Sequence, residues 1–251
     1  MQEVIRDIPV RTEGELRLHA MVRAVLSPGI WFVLAAQLLL MFMLQWRVPE
    51  DAAPLLSMLA IFLTAMALML FFYLQAGAFQ ALSQGREALP VGEVIRAGKA
   101  VFAAFVWLLL KAGLLFAVVM NVLVLVALLL TGSNLEALTQ TLTTYFGPMT
   151  GMLAFVFVYW LPLVFVQREF RLLSGLKAAL RIAWTRLSHS VFLALMVLVP
   201  ALAAGFLPAD GPILFNALAS LISGILGWIA YIYCVDALRQ RQPAATDKIS
   251  V

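Results

Sequence analysis

Few side chains in this sequence have the chemistry to catalyse a reaction, and their spacing decides what each can do. The two histidines, His19 and His189, do not form a metal-binding pair such as His-Glu-x-x-His on one helix face. Ser188-His189-Ser190 sets hydroxyls beside an imidazole, the components of an activated nucleophile. Adjacency along the chain does not supply triad geometry, so this segment reads as a helix-junction cap. The single cysteine, Cys234, excludes an internal disulfide and any cysteine-built metal cluster. No Gly-x-Ser-x-Gly elbow and no phosphate-cradling glycine loop is present. On these grounds the chain reads as a non-enzyme that needs neither cofactor nor metal.

Lys111 resists a purely structural account. It lies inside the apolar run Val101–Leu130. A lysine at mid-membrane costs on the order of 2.5–3.5 kcal/mol, which makes it a candidate intramembrane functional residue. The competing reading is snorkelling, with the ammonium reaching partway to the interface along its own stem. No Asp or Glu falls inside an expected span, so no proton relay accompanies it. Gln37, Asn121 and Asn216 are the mid-span amides available to pair with Lys111 or with one another.

The elements that must position these residues follow from composition and charge. At 64% hydrophobic and 12% charged, the chain departs from soluble domains, in which charged residues make up roughly a quarter. Lys and Arg alternate in density between the apolar runs. Four lie before the first run, three between the second and third, five between the fourth and fifth, and three after the sixth; the other gaps hold only Arg47. Under the positive-inside rule this predicts six spans with both termini cytoplasmic. The expected spans are 30–44, 54–74, 101–123, 147–166, 191–207 and 213–235. Each must be helical, because backbone amides facing lipid require internal partners. The fold class is therefore all-α, a single polytopic membrane domain over 1–251, and the charged N-terminal stretch does not read as a cleavable signal.

Three inner segments read as amphipathic helices lying in the interface. The clearest covers 168–187, where Leu172, Leu173, Leu176, Leu180, Ala183, Trp184 and Leu187 share one side. On or beside the other side are Arg171, Lys177, Arg181 and Arg186, the candidate lipid-headgroup contacts. Segments 15–26 and 90–99 are similar. The layout then reads as three hairpin units, 1–75, 76–166 and 167–251, each an interfacial helix followed by two spans. The outer connections are short; the middle one, 130–146, reads as a small surface helix through Leu135, Leu138 and Leu142. In the last span Ala219, Ser223 and Gly227 form a small-residue stripe for close helix packing, with Ser220 and Gly224 one step on. Pro162 and Pro200 are expected to kink their spans.

A family resemblance emerges over 161–197. Pro162 within a span is followed by the polar corner Gln167-Arg168-Glu169. Next come the amphipathic helix Ser174-Gly175-Leu176-Lys177-Ala178-Ala179-Leu180-Arg181 and then Ser188-His189-Ser190 before another span. This resembles the YciC-like bacterial inner-membrane proteins, and it is similar to the membrane domain joined to some glycerophosphodiester phosphodiesterases. The resemblance implies a bacterial inner-membrane location and the fold; with no phosphodiesterase domain here, it implies no such activity. Three functions fit the residues: a non-catalytic scaffold or regulator of a membrane partner or envelope process, a transporter or permease subunit for a small apolar or amphipathic substrate, and an immunity protein against a membrane-acting toxin. The expected partners are the bilayer with its anionic headgroups and a membrane protein or second copy. The net charge of +4 lies on the lipid-facing side and does not indicate nucleic acid.

Overall fold

A computed structural model describes residues 12–46, 54–86, 89–130, 158–205 and 213–240. Among the described residues the chain is all-helical. The helices are α1 Glu13–Leu26, α2 Pro28–Gln45, α3 Pro54–Ser83, α4 Val91–Leu130, α5 Val158–Gln167, α6 Leu172–Thr185, α7 Leu187–Gly205 and α8 Ile213–Arg239. Four of them, α2, α3, α4 and α8, are long and apolar enough to cross a membrane. Up to five spans result if the bent pair α6–α7 is taken as one. Of the expected fourth span only α5 is described, and the expected outer surface helix lies outside the described residues.

Local sequence explains most of the boundaries. The α1 start is a capping box: the Glu15 amide donates to Thr12 Oγ1 at 3.4 Å, and the Thr12 amide donates to Glu15 Oε2 at 2.7 Å. Ser27 leaves the helical region and Pro28 opens α2, where its missing N–H costs nothing. The segment 90–99, expected as a separate interfacial helix, is instead the first part of α4. Nothing between Ala97 and Val101 stops a helix, neither proline nor capping side chain. At 40 residues α4 runs about 60 Å, twice the ~30 Å of a hydrocarbon core. The expected second unit thus lacks the separate interfacial helix, while α1 before α2 and α6 before α7 are separate helices.

The core gathers at one end of the bundle. From Ala76 to Ser83 every residue of α3 is buried. Phe79 stands at its centre, with ring centroids 4.4 Å from Tyr231, 5.0 Å from Trp228 and 5.4 Å from Phe165. Tyr231 also donates its hydroxyl to the Phe79 carbonyl at 3.0 Å, so a buried phenol is satisfied while its ring packs. Helices α3 and α4 meet most closely at two glycines. A Cβ on Gly77 would collide with the Val94 carbonyl, and one on Gly98 would lie 2.9 Å from the Tyr73 carbonyl. Away from this end, Leu55, Ile61 and Phe62 of α3 and Leu114, Leu125 and Leu129 of α4 are exposed. Such a distribution suits helices solvated by acyl chains, which compete with neighbouring side chains on equal terms.

Helix α6 divides its surface three ways. Gly175, Ala179 and Ala183 are buried, and a Cβ on Gly175 would lie 3.2 Å from the Trp160 ring nitrogen of α5. Leu173, Leu180 and Trp184 are exposed along the next face, with Lys177 at its edge and Arg181 beyond it. It turns into α7 through a bend of 111°. Ser190, fully buried, closes that corner by donating to the carbonyls of Ala183 and Arg186, both at 2.9 Å.

Candidate functional site at the arginine-lined end

The segments that the charge pattern assigns to one side do converge in space. Gly29 at the start of α2 donates its amide to the Leu89 carbonyl before α4 at 2.7 Å. Arg23 of α1 reaches the Arg86 carbonyl in the α3–α4 turn and Asp236 Oδ1 near the end of α8, the latter at 3.3 Å. His19 Nδ1 lies 3.0 Å from Asp236 Oδ2. The Arg23 side chain is 4% exposed, so a guanidinium at the protein interior is matched by a carboxylate and a backbone carbonyl. These contacts fasten α1 across α8. Asp236 lies one residue beyond the expected sixth span, and nothing local marks it as the partner of residues over 200 positions earlier.

A second polar cluster surrounds His189. Its Nε2 lies 3.0 Å from Glu13 Oε1, and its Nδ1 is 3.4 Å from the Tyr233 hydroxyl. Neither adjoining serine bonds to the ring; Ser190 is committed to the α6–α7 corner. The imidazole has a carboxylate and a phenol at hand but no nucleophile. Beside it the Arg17 guanidinium stands 5.1 Å from the Phe192 ring centre. Among the described residues no group of three His, Cys, Asp or Glu side chains is placed to hold a metal ion.

Two adjoining cavities open at the same end, of about 400 and 440 Å³. Gln84, Arg86 and Arg168 line both. Arg96 and Glu93 of α4, Gln80 of α3 and Phe170 complete the first, and Arg239 of α8 completes the second. Backbone geometry delivers two of these arginines. Arg168 has φ 54°, the left-handed region in which an L side chain crowds its own carbonyl. The following amide, of Glu169, returns to the Val164 carbonyl at 3.1 Å, closing α5 as a Schellman turn whose left-handed position ordinarily takes glycine. Gly85, at φ 78°, does sit where glycine is needed, and the Arg239 guanidinium occupies the space where its Cβ would project. Arg86 pairs with Glu93 at 3.0 Å, whereas Arg96, Arg168 and Arg239 have no carboxylate partner among the described residues.

A third cavity, of about 300 Å³, lies between the spans. Gln37, Gln75, Phe79, Pro162, Gly227 and Trp228 are on its wall. Gln37 donates to Ser220 Oγ at 3.0 Å. The remaining residues singled out from sequence fall elsewhere. Lys111 is exposed on α4, its ammonium 5.1 Å from the Trp107 ring centre, and it lines none of these three cavities. Asn121 donates to the Ala117 carbonyl of its own helix at 2.7 Å. The close approach on α8 is made by Gly224, whose Cβ would meet Leu34 Cδ2 at 2.5 Å, while Gly227 of the expected stripe faces open space. Of the expected headgroup contacts, Lys177 and Arg181 are exposed, Arg186 is half-buried, and Arg171 is exposed and 3.6 Å from Glu169.

Among the described residues, fold and site together define an all-helical arrangement with four helices, or up to five, long and apolar enough to cross a membrane, and an arginine-lined end. Comparison with protein-family models, curated proteins and solved structures finds no match to this chain.

Proposed function

We propose that this chain is a six-span protein of the bacterial inner membrane, YciC-like, with both termini in the cytoplasm. Its work is to scaffold or regulate a membrane partner or an envelope process, without catalysis. The observation that carries this reading is where the polar groups are spent. His19, Arg23 and Asp236 tie helices together, Ser190 closes a corner, and the arginines left over face outward or into cavities at a single end. In this arrangement α2, α3, α4, α7 and α8 cross the bilayer, as does the expected span 147–166, which overlaps α5. Helices α1 and α6 lie in the inner interface, with the exposed Lys177 and Arg181 of α6 toward lipid phosphates. Crosslinked affinity purification from native membranes, followed by mass spectrometry, is expected to recover a stoichiometric membrane partner. Recovery of the chain alone sinks this reading.

The cavity between the spans favours a second reading, a transporter of a small amphipathic molecule. Two glutamines offer hydrogen bonds within an otherwise apolar wall, as small-molecule sites do. Gly227→Leu fills that cavity from a position with open space in front of it. Under the transport reading the substitution abolishes flux in reconstituted vesicles, while Lys111→Ala leaves flux intact because Lys111 points away. Under the scaffold reading partner recovery is unchanged by either.

A further inference from the structure

We propose that the cavity bounded by Arg86, Arg96 and Arg168 is a binding site for a phosphate ester that carries a free hydroxyl, the headgroup chemistry of an anionic phospholipid such as phosphatidylglycerol. Three elements each contribute a guanidinium: the turn after α3, the first turns of α4 and the corner after α5. Among the described residues Glu93 is the carboxylate on the cavity wall, and it is engaged with Arg86. With Arg86 offset by Glu93, Arg96 and Arg168 leave two positive charges around about 400 Å³ of space for an anion to neutralise, and planar guanidinium forks match phosphate oxygens in pairs.

Gln80 supplies an independent indication. It is 4% exposed, lines this cavity, and its Oε1 finds no hydrogen-bond partner among the described residues. A buried acceptor left unpaired is costly, and a cavity walled by cationic donors invites an anion that brings a donor of its own. A hydroxyl on the esterifying group provides that donor. Apart from Gln84 the rest of the wall is apolar, with Ala97, Ala100 and Val101 leading along α4 toward its apolar part and Ala81 and Phe170 completing it. A headgroup seated on the arginines thus has an apolar surface beside it for an acyl chain. A soluble glycerol phosphate shares the headgroup chemistry but makes no use of that wall.

The Schellman turn at α5 points the same way. Glycine is the unstrained residue at the left-handed position, yet an arginine stands there and lines both cavities. A side chain kept where the backbone disfavours one is accounted for if it holds a ligand. The proposal relies on the cytoplasmic assignment of this end only for which leaflet supplies the lipid; the binding chemistry stands without it.

The test is native mass spectrometry of the full chain in mild detergent, titrated with phosphatidylglycerol, phosphatidylcholine, phosphatidylmethanol and soluble glycerol 3-phosphate. Wild type is expected to hold phosphatidylglycerol at least about tenfold more tightly than phosphatidylcholine, the worth of one charge-assisted hydrogen bond. Arg168→Gly is the decisive variant, because glycine relaxes the turn: the protein stays folded and the preference disappears. Gln80→Leu is expected to erase the preference for phosphatidylglycerol over phosphatidylmethanol, which lacks the hydroxyl, while binding of both persists. Displacement of the lipid by glycerol 3-phosphate at equal concentration keeps the site and assigns it to the soluble ester. Equal retention of phosphatidylcholine by wild type overturns the proposal, as does an undiminished preference in Arg168→Gly. Because the assay needs no partner protein, failure of the scaffold reading leaves its result unaffected.

Discussion

Asp236 carries more of this structure than any other acidic side chain. It accepts from Arg23 and faces His19, and both partners come from a helix more than 200 residues earlier in the chain. Removing one member of a buried pair leaves an uncompensated charge, at a cost of ~3–5 kcal/mol, whereas replacing both with apolar groups is far milder. Asp236→Ala is therefore expected to lower thermal stability in detergent sharply. Arg23→Met combined with Asp236→Leu recovers most of the loss. A double variant as unstable as the single one would show that the ion pair is not what holds α1. The same scale shows the limit of reading residues one by one. Lys111 stands out in sequence as a charge within an apolar run, yet it points outward over Trp107. Arg168 is unremarkable in sequence, and its left-handed backbone is visible only in three dimensions.

For the helices, punctuation determined what the sequence could tell. Ser27-Pro28 and Pro54 mark helix starts, and Arg239 closes α8 one turn beyond the expected span. The amphipathic period of α6 is readable because apolar residues recur at helical spacing on one side and polar or cationic ones beside it. The division of its apolar side, with Gly175, Ala179 and Ala183 buried and Leu173, Leu180 and Trp184 exposed, depends on α5 and is not written in α6 itself. Helix α4 was the hardest to parse, since its first ten residues are amphipathic and its remainder apolar with no break between. The small-residue stripe on α8 has the right composition in either of two registers, and only contact with α2 selects Gly224. Close approach of α3 and α4 depends likewise on Gly77. Gly77→Leu is expected to force these helices apart and destabilise the protein by at least the ~1–3 kcal/mol typical of overpacking, measured as a fall in Tm. An unchanged Tm would mean that the crossing tolerates a wider separation than the structure shows.

For the molecule as a whole, alternation of charge along the chain and convergence of those same segments in space are independent observations that agree. Arg23, Arg86, Arg96, Arg168 and Arg239, drawn from the four basic segments, meet at one end. Charge counting can place each of them on a side; it cannot say that four of them frame adjoining cavities. The sidedness itself is open to a direct test. Cys234 is buried and is the only cysteine, so the native chain should stay nearly silent toward a membrane-impermeant maleimide. Single cysteines introduced at Thr12 and at Gln240 are expected to label from the cytoplasmic side alone, and labelling of either from the outer side would sink the six-span arrangement.

The long-range clasp on α1 also has a consequence for biogenesis. Helix α1 leaves the ribosome well before α8, and the carboxylate that seats it arrives more than 200 residues later, near the end of α8. Until then the Arg23 guanidinium lacks its partner, and a charge in that condition favours the aqueous interface over the bundle interior. Helix α1 therefore docks only after α8 has been made, and its docking reports that α8 has been inserted in the correct orientation. A chain interrupted before Asp236 keeps an undocked, cationic N-terminal helix, the kind of exposed feature by which membrane quality control distinguishes unfinished proteins from complete ones.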